Sequence, residues 1–340
     1  LELDPTSGKQ STISSGSTNS GAGTLLTAGA GTIDVAAAID VAAVTIDGST
    51  TTATDGASIS GLLLVEGGEL DPTGTKAFGV GSFQMTGGDL GDTTVTTTEG
   101  ITDHGTFSWT GGDFYAAASE LPQPVMSQST SSSAFIQNGT YVDNWNLDFT
   151  GTLTVDAGYV YFENAGGITA KGGATFSASA NIYNEGSAGD LTIASTGTLS
   201  ETATSGTPDL DVPVVNDGTI TASGAGFTFG SLTNDGTLNI GTATVTVSGS
   251  YTSESTSVLA LTVAGTTAGT SYGDLVVNGS PGSMTIAGSL TVTTGGGFTP
   301  TGSDTFTIAT FTSHTGTFGT VTKTGFGALT YNTTNIQLAG

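Results

Sequence analysis

The feature that most constrains the fold of this chain is internal repetition at a short and nearly constant spacing. The phrase Gly-Gly-acidic-apolar occurs at 67–70, 87–90 and 111–114, so consecutive copies are separated by similar short stretches of chain. A second phrase, Asn-Asp-Gly-Thr followed by Ile or Leu, occurs at 216–220 and returns at 234–238. Repeats of this length that are punctuated by Gly predict a solenoid, in which each coil covers the apolar face of its neighbour.

The sequence between the Gly corners predicts strands. Residues 83–86 and 107–110 alternate apolar and polar side chains, and helical periodicity is nearly absent from the whole chain. Thr and Val suit flat strands that stack on like residues of the next coil, and Gly or Asn-Asp-Gly supplies the positive φ that corners need. We therefore expect an all-β fold, a right-handed parallel β-helix (β-solenoid) with coils of about 18–24 residues.

Shifts in composition divide the chain into four segments. Solenoid repeats are expected at 1–120 and again at 136–249, with a Pro- and Ser-rich linker or loop excursion at 121–135 between them. Proline donates no hydrogen bond to a ladder, which places Pro122 and Pro124 in a loop or at an edge. From 250 to 340 the alternating strands become longer, which predicts a distinct C-terminal β section.

The charge of the chain is one-sided and limits its partners. Four lysines and no arginine face 29 acidic residues, for a net charge of -25, and cysteine is absent. Nucleic acids and anionic membranes are excluded, since both require clustered basic side chains. No apolar stretch is long enough for a transmembrane helix. Durable proteins that act outside a bacterial cell often lack cysteine, so we expect an extracellular, cell-surface location.

The C-terminal part resembles a known class of surface proteins. The segments 249–252, 259–265 and 272–279, followed by 288–292 and a closing 329–338, resemble the end of bacterial autotransporter passengers and related large surface adhesins. The resemblance covers roughly residues 216–340. It implies a right-handed parallel β-helix and a cell-surface location, although no outer-membrane barrel follows Gly340 in this sequence.

No residue is predicted to be catalytic and no cofactor is predicted. Lyases built on β-helices rely on Arg or Lys as the base, and this chain has no Arg and four widely separated Lys. Glycoside hydrolysis needs only two carboxylates, about 5 to 10 Å apart in a groove, but most Asp residues adjoin Gly in evident corners. Asp103 and His104 are adjacent, yet His104 occupies the position of Asp217 and Asp235 in the repeated corner phrase. We therefore predict that the protein is not an enzyme.

Two kinds of binding site are predicted from single residues. Asp217 and Asp235 occupy equivalent corners on successive coils and are candidate calcium ligands, with solvated corners as the alternative. Trp109, Trp145 and Tyr159 are candidate stacking platforms for a glycan, because aromatic rings offer sugars an apolar face.

The leading functional prediction is an extracellular structural or adhesive protein of the cell surface. Residues 2–6 have the same sequence as residues 69–73, Glu-Leu-Asp-Pro-Thr, so the chain is expected to begin within a repeat. Either a longer protein was cut there, or an open coil pairs with another subunit; in the second case head-to-tail self-association would build a fibre. A glycan-binding surface module is the alternative, and a carbohydrate-active enzyme is the third candidate.

Overall fold

The computed structural model shows an all-β protein built of stacked parallel strands, a β-solenoid. It describes residues 1–73, 76–91, 100–117, 123–129, 132–138, 140–186, 189–201 and 206–340. No helix occurs in these ranges, and none of their segments is a candidate for a membrane-spanning helix. The predicted all-β parallel solenoid is confirmed, and its right-handed sense stays a prediction.

The strands are short and follow one another closely. The first eighteen are β1 (Glu2–Leu3), β2 (Gln10–Ile13), β3 (Asn19–Ala28), β4 (Thr32–Val35), β5 (Ala38–Asp47), β6 (Thr50–Ala53), β7 (Ser58–Val65), β8 (Glu69–Pro72), β9 (Phe78–Leu90), β10 (Ile101–Asp103), β11 (Phe107–Tyr115), β12 (Val125–Gln128), β13 (Ala134–Gln137), β14 (Thr140–Asp143), β15 (Asn146–Phe149), β16 (Leu153–Glu163), β17 (Gly167–Ala170) and β18 (Gly173–Asn184). The rest are β19 (Leu191–Ile193), β20 (Thr198–Glu201), β21 (Asp209–Asn216), β22 (Thr219–Thr221), β23 (Phe227–Asn234), β24 (Thr237–Gly241), β25 (Thr244–Val247), β26 (Tyr251–Ser253), β27 (Val258–Val263), β28 (Asp274–Val277), β29 (Ser283–Ile286), β30 (Ser289–Thr294), β31 (Thr305–Thr310), β32 (Ser313–Gly316), β33 (Thr320–Thr322), β34 (Leu329–Tyr331) and β35 (Asn335–Ala339).

The chain divides into two compact units. The N-terminal unit consists of residues 1–154, 158–169 and 184–189, and the C-terminal unit of residues 155–157, 170–183 and 190–340. Neither boundary coincides with the linker predicted at 121–135. Within that segment Val125–Gln128 is a strand, paired in parallel with Ile101–Asp103, while residues 121, 122, 130 and 131 lie outside the described residues.

The N-terminal unit is built from three parallel ladders, so each coil contributes one strand segment to each ladder. Ladder A contains the first residues of the long strands β3, β5, β7 and β9, followed by β10, β12 and β15. Ladder B runs through β3, β5, β7, β9, β11 and β13. Ladder C runs through β2, β4, β6, β8, β9, β11, β14 and β16, with the long strands β9 and β11 bending from one ladder into the next.

The C-terminal unit has the same three-ladder organisation. Its ladder A contains β19, β21, β23, β26, β29 and β32, and its ladder B contains β18, β20, β22, β24, β27, β30 and β33. Ladder C runs from β18 through β21, β23, β25 and β28 to β31. There the pattern changes, because β31 pairs antiparallel with β35, which pairs antiparallel with β34.

The repeated phrases occupy equivalent positions on successive coils. Leu70 pairs with Leu90, which pairs with Phe114, and all three side chains are buried. In the C-terminal unit Asn216 pairs with Asn234 in the same way. Repetition in the sequence therefore marks stacking in space, as predicted. The copy at the N-terminus is an exception, because Glu2 pairs with Leu26 in ladder B whereas Glu69 lies in ladder C.

The corner glycines have two different roles, and one differs from the prediction. Gly68 and Gly88 have φ of 72°, the left-handed conformation that the sequence predicts for corners. Gly236 of the Asn-Asp-Gly corner is absent from the positive-φ residues, and its role is close packing. A Cβ on Gly236 would lie 2.0 Å from the carbonyl oxygen of Gly218 on the preceding coil. Stacked corners therefore require Gly here because two backbones touch.

Coil length varies more than the spacing of the repeated phrases predicts. Phe114 pairs with Val142, and Leu275 pairs with Ala309, so both coils are longer than any interval between the phrases. In the C-terminal unit the added chain lies at one corner, between ladders B and C, as the loops 264–273 and 295–304. Loops placed at a corner lengthen a coil without disturbing the register of its strands, which is why the sequence spacing alone underestimated the range.

Each unit has its own apolar core between the ladders. In the N-terminal unit the core is aromatic: Phe83 and Phe107 stack with ring centroids 5.5 Å apart, and Phe107 meets Phe149 edge-on at 5.0 Å. Inward side chains of one coil thus contact those of the next, and burial of this kind is the main contribution to solenoid stability.

Candidate functional site

The two tryptophans predicted as glycan platforms are core residues, so that prediction is wrong for both. Trp109 and Trp145 are 0% exposed, and each packs edge-on against Phe114, with ring centroids 4.9 and 5.6 Å from it. The indole N–H of Trp109 donates to the Gly112 carbonyl at 2.9 Å. That of Trp145 donates to the Tyr115 carbonyl at 2.8 Å. Every polar group of the two rings is satisfied internally, and no ligand reaches their faces.

Tyr159, the third predicted platform, is exposed and belongs to a cluster of tyrosines. It is 47% exposed and lies two residues before Tyr161 on β16, so both side chains leave the same face of the strand. Tyr161 stacks on Tyr141 of β14 with a centroid distance of 5.0 Å and an interplanar angle of 22°. Tyr159 and Tyr161 are 6.3 Å apart at 29°. We call Tyr141, Tyr159 and Tyr161 the tyrosine face.

Carboxylates surround the tyrosine face because the ladder fixes them in two columns. The strand pairings place the first column, Asp89, Asp113, Tyr141 and Tyr161, on successive coils. The second column, two residues further along each strand, is Tyr115, Asp143, Glu163 and Glu185. Strand geometry spaces the members of a column by ~4.8 Å and the two columns by ~6.6 Å. A grid of rings and carboxylates results, at the scale of a few sugar residues.

Hydrogen bonds hold part of the grid in place. Both oxygens of Asp113 are engaged: one accepts from the Tyr141 backbone N–H at 2.8 Å and the other from the Tyr115 hydroxyl at 3.2 Å. Asp143, which is 7% exposed, accepts from the side-chain amide of Asn164 at 2.8 Å. Among the described residues, by contrast, no group donates a hydrogen bond to the carboxylate of Glu163 or Glu185. These two carboxylates are therefore available to a ligand.

The carboxylates of the grid repel one another. Burial, and then the neighbouring charges of Asp143 and Glu185, raises the pKa of Glu163. Burial and the charge of Asp113 raise the pKa of Asp89. The charge of Glu185 is the largest cause of a raised pKa at Tyr141, and burial followed by Asp113 raises the pKa of Tyr115 to about 12. The phenols stay protonated at neutral pH, and the surface as a whole is strongly negative.

The predicted calcium ligands Asp217 and Asp235 occupy successive corners of the C-terminal unit and are both exposed. Asp235 accepts a hydrogen bond from the Thr256 hydroxyl. Across the described parts of the chain, no three acidic or histidine side chains converge as a metal-binding group. Calcium binding at these corners stays a prediction.

Asp103 and His104 point to opposite sides of their strand end. Asp103 is 0% exposed and accepts the Gly105 backbone N–H at 2.9 Å. The exposed His104 contacts the Ser129 hydroxyl through Nδ1 at 2.8 Å and borders a surface depression of about 320 Å³. The two side chains therefore do not form an acid–base pair.

Sequence reasoning missed Tyr141, Tyr161, Glu163 and Glu185, although a signal for Tyr161 and Glu163 was present. In residues 159–163, Tyr, Val, Tyr, Phe and Glu alternate, and Val160 and Phe162 are buried. This alternation assigns Tyr159, Tyr161 and Glu163 to one outward face. The pairing with Tyr141, on the preceding coil, requires the register that the structure supplies.

Comparison with known proteins places this surface in no characterised group. No protein-family model, curated protein or solved structure matches the chain. The parallel β-helix implied by the resemblance of residues 216–340 to autotransporter passengers and surface adhesins is confirmed as a β-solenoid, and membership of that group stays a prediction.

Proposed function

We propose that this chain is an extracellular adhesive protein of the cell surface, in which a β-solenoid scaffold displays the tyrosine face to a glycan. The observation that carries the proposal is the stack of Tyr141 on Tyr161 beside the exposed Tyr159. Exposed aromatic rings in fixed positions suit the apolar faces of sugars. The ladder beneath them holds the rings without the entropy cost of ordering a loop.

Binding of the purified protein to an array of surface polysaccharides tests the proposal. We expect Tyr159→Ala and Tyr161→Ala each to weaken binding of any retained glycan by about tenfold or more. Tyr159→Phe is the matched control, since it keeps the ring, and it should bind within about twofold of the parent. Absence of binding to every glycan, or equal binding by the Ala variants, would overturn the proposal.

Self-association into a fibre is a separate part of the proposed structural role. A coil at the end of a parallel ladder has unpaired backbone groups, and the strands of a second copy of the chain can pair with them. Electron microscopy of the purified protein tests this part directly. Filaments with a fixed axial repeat support it, and particles of monomer mass at all concentrations contradict it.

A further inference from the structure

We propose that the tyrosine face binds a cationic polysaccharide, one whose sugars bear protonated primary amines. The inference rests on the proposed glycan-binding function and adds the charge of the ligand to it. Two independent features of the same surface lead to it: ring faces that accept both sugars and cations, and carboxylates that no basic side chain of the described residues neutralises.

The first feature is the set of rings. Tyr159 and Tyr161 are 6.3 Å apart at 29°, so they present neighbouring, nearly parallel faces along one strand. A sugar ring stacks on such a face through its C–H groups, and an ammonium group is attracted to the same face by the quadrupole of the ring. An amino sugar offers both contacts in one residue, whereas a metal ion has no C–H groups to stack on the ring.

The second feature is the carboxylate column beside the rings. Asp143 pairs with Glu163 on the next coil, and the Glu185 backbone N–H donates to the Phe162 carbonyl at 2.9 Å, which continues the column to Glu185. The sequence has no lysine between Lys76 and Lys171 and no arginine at all, so the strands that carry the tyrosine face bring no basic side chain to it. A cation that arrives with the ligand relieves the repulsion within this column.

Charge decides between kinds of glycan. The chain has a net charge of -25, so an anionic polysaccharide is repelled at long range as well as at the grid. A neutral glycan uses the rings but gains nothing from Glu163 and Glu185. A polysaccharide of amino sugars contacts both the rings and the carboxylates. It carries one positive charge on each sugar, and these charges face carboxylates that repeat every ~4.8 Å along a column.

Isothermal titration with glucosamine hexasaccharide and with N-acetylglucosamine hexasaccharide of the same linkage tests the inference. At a pH where the amines are protonated, we expect the amine form to bind about tenfold tighter or better, with affinity that falls as salt is raised. Glu163→Gln combined with Glu185→Gln should abolish that preference while leaving weak binding of the acetylated form. Glu254→Gln, an exposed acidic residue of the C-terminal unit, is the matched control and should change neither affinity.

The outcomes separate this inference from the function on which it rests. Equal binding of the two hexasaccharides would overturn the cationic ligand and leave the glycan-binding function standing. Binding of neither would overturn both. A lysine-rich peptide that binds as tightly as the amine hexasaccharide, and whose binding survives Tyr161→Ala, would show that the surface recognises charge alone, as a protein partner would, and would also overturn the inference.

Discussion

The side-chain amide of Asn216 donates a hydrogen bond to the amide oxygen of Asn234 at 2.6 Å, between equivalent positions of two successive coils. Both residues are 0% exposed, and Asn216 also donates to the Thr237 carbonyl at 3.0 Å. The pair is a polar ladder inside an apolar core. It ties the register of one coil to that of the next, since a shift of two residues would keep both amides in the core but separate them from each other.

We predict that the two asparagines are coupled, so that replacing both costs less than the sum of replacing each one alone. Asn216→Val leaves the Asn234 oxygen buried without its donor, so we expect a loss of about 1–3 kcal/mol in the free energy of unfolding. The double variant Asn216→Val with Asn234→Val should be less destabilised than the sum of the two single variants. Denaturant unfolding measures all three. Strict additivity would show that the two amides do not interact.

A second prediction concerns Asp103, which pairs with Gln128 in ladder A. Asp103 Oδ2 and Gln128 Oε1 are both buried and accept no hydrogen bond. Burial raises the pKa of Asp103 from its ordinary 3.8, against the opposing effects of the Gly105 N–H and of His104. Because the pKa of Asp103 is higher in the folded than in the unfolded protein, the protonated carboxyl favours folding. This contribution to the free energy of unfolding is complete below the pKa of the unfolded state, and it is lost as pH rises through the pKa of the folded state.

Asp103→Asn should therefore stabilise the protein at neutral pH, by about 1 kcal/mol, because its amide can donate where the carboxylate has only acceptors. The difference in free energy of unfolding between variant and parent should grow as pH rises from 3.8 and then level off. Urea titrations between pH 3 and 8 follow this difference. Asp217→Asn, at an exposed corner, is the control, and at neutral pH it should change the free energy of unfolding by less than about 0.5 kcal/mol. A variant less stable than the parent at pH 7 contradicts the assignment.

A third prediction tests the role of the Asn-Asp-Gly corners. Gly236→Ala would place a Cβ 2.0 Å from the Gly218 carbonyl oxygen. The backbone fixes the position of the Cβ, and the oxygen is itself a backbone atom, so neither can rotate away. We expect a loss of about 1–3 kcal/mol, typical of overpacking. Gly302→Ala is the matched control, because a Cβ there meets nothing within 4 Å and its φ is not positive. Equal melting temperatures for the two variants would show that the corners move apart at little cost.

A fourth prediction separates the buried from the exposed aromatic residues. Trp109→Ala removes a side chain that is 0% exposed, so we expect a loss of about 3–5 kcal/mol in stability. Tyr159→Ala should change stability by less than about 0.5 kcal/mol, since the side chain is 47% exposed. Thermal unfolding of both variants provides the comparison. A similar loss for the two would mean that Tyr159 is part of the fold rather than of a binding surface.

The fold could be predicted from the sequence because repetition reports stacking directly. The spacing of the two Asn-Asp-Gly-Thr phrases is the coil length at that point, and Asn216 does pair with Asn234. Strand parity was also readable: in residues 107–110, Phe107 and Trp109 alternate with Ser108 and Thr110. That alternation assigns Trp109 to the core, and strand position decides its role over the chemical suitability of an indole for sugar binding.

The candidate site could be predicted only in part. The alternation of one strand indicates Tyr159, Tyr161 and Glu163, but Tyr141, Asp143 and Glu185 lie on other coils, and coil length changes at the corners between them. Phe114 pairs with Val142 across a longer stretch of chain than separates any two neighbouring copies of the repeated phrases. The column of Asp143, Glu163 and Glu185 has no counterpart in the local sequence. It can be predicted only when the register of three coils is known.

The two corner loops of the C-terminal unit, 264–273 and 295–304, show where this architecture accepts new chain. Both follow a strand of ladder B, and in both coils the next strand resumes its ladder in register. A peptide inserted at either loop would thus be carried at a defined edge of the solenoid while the ladders stay intact. Such a corner is a suitable place for displaying a foreign epitope.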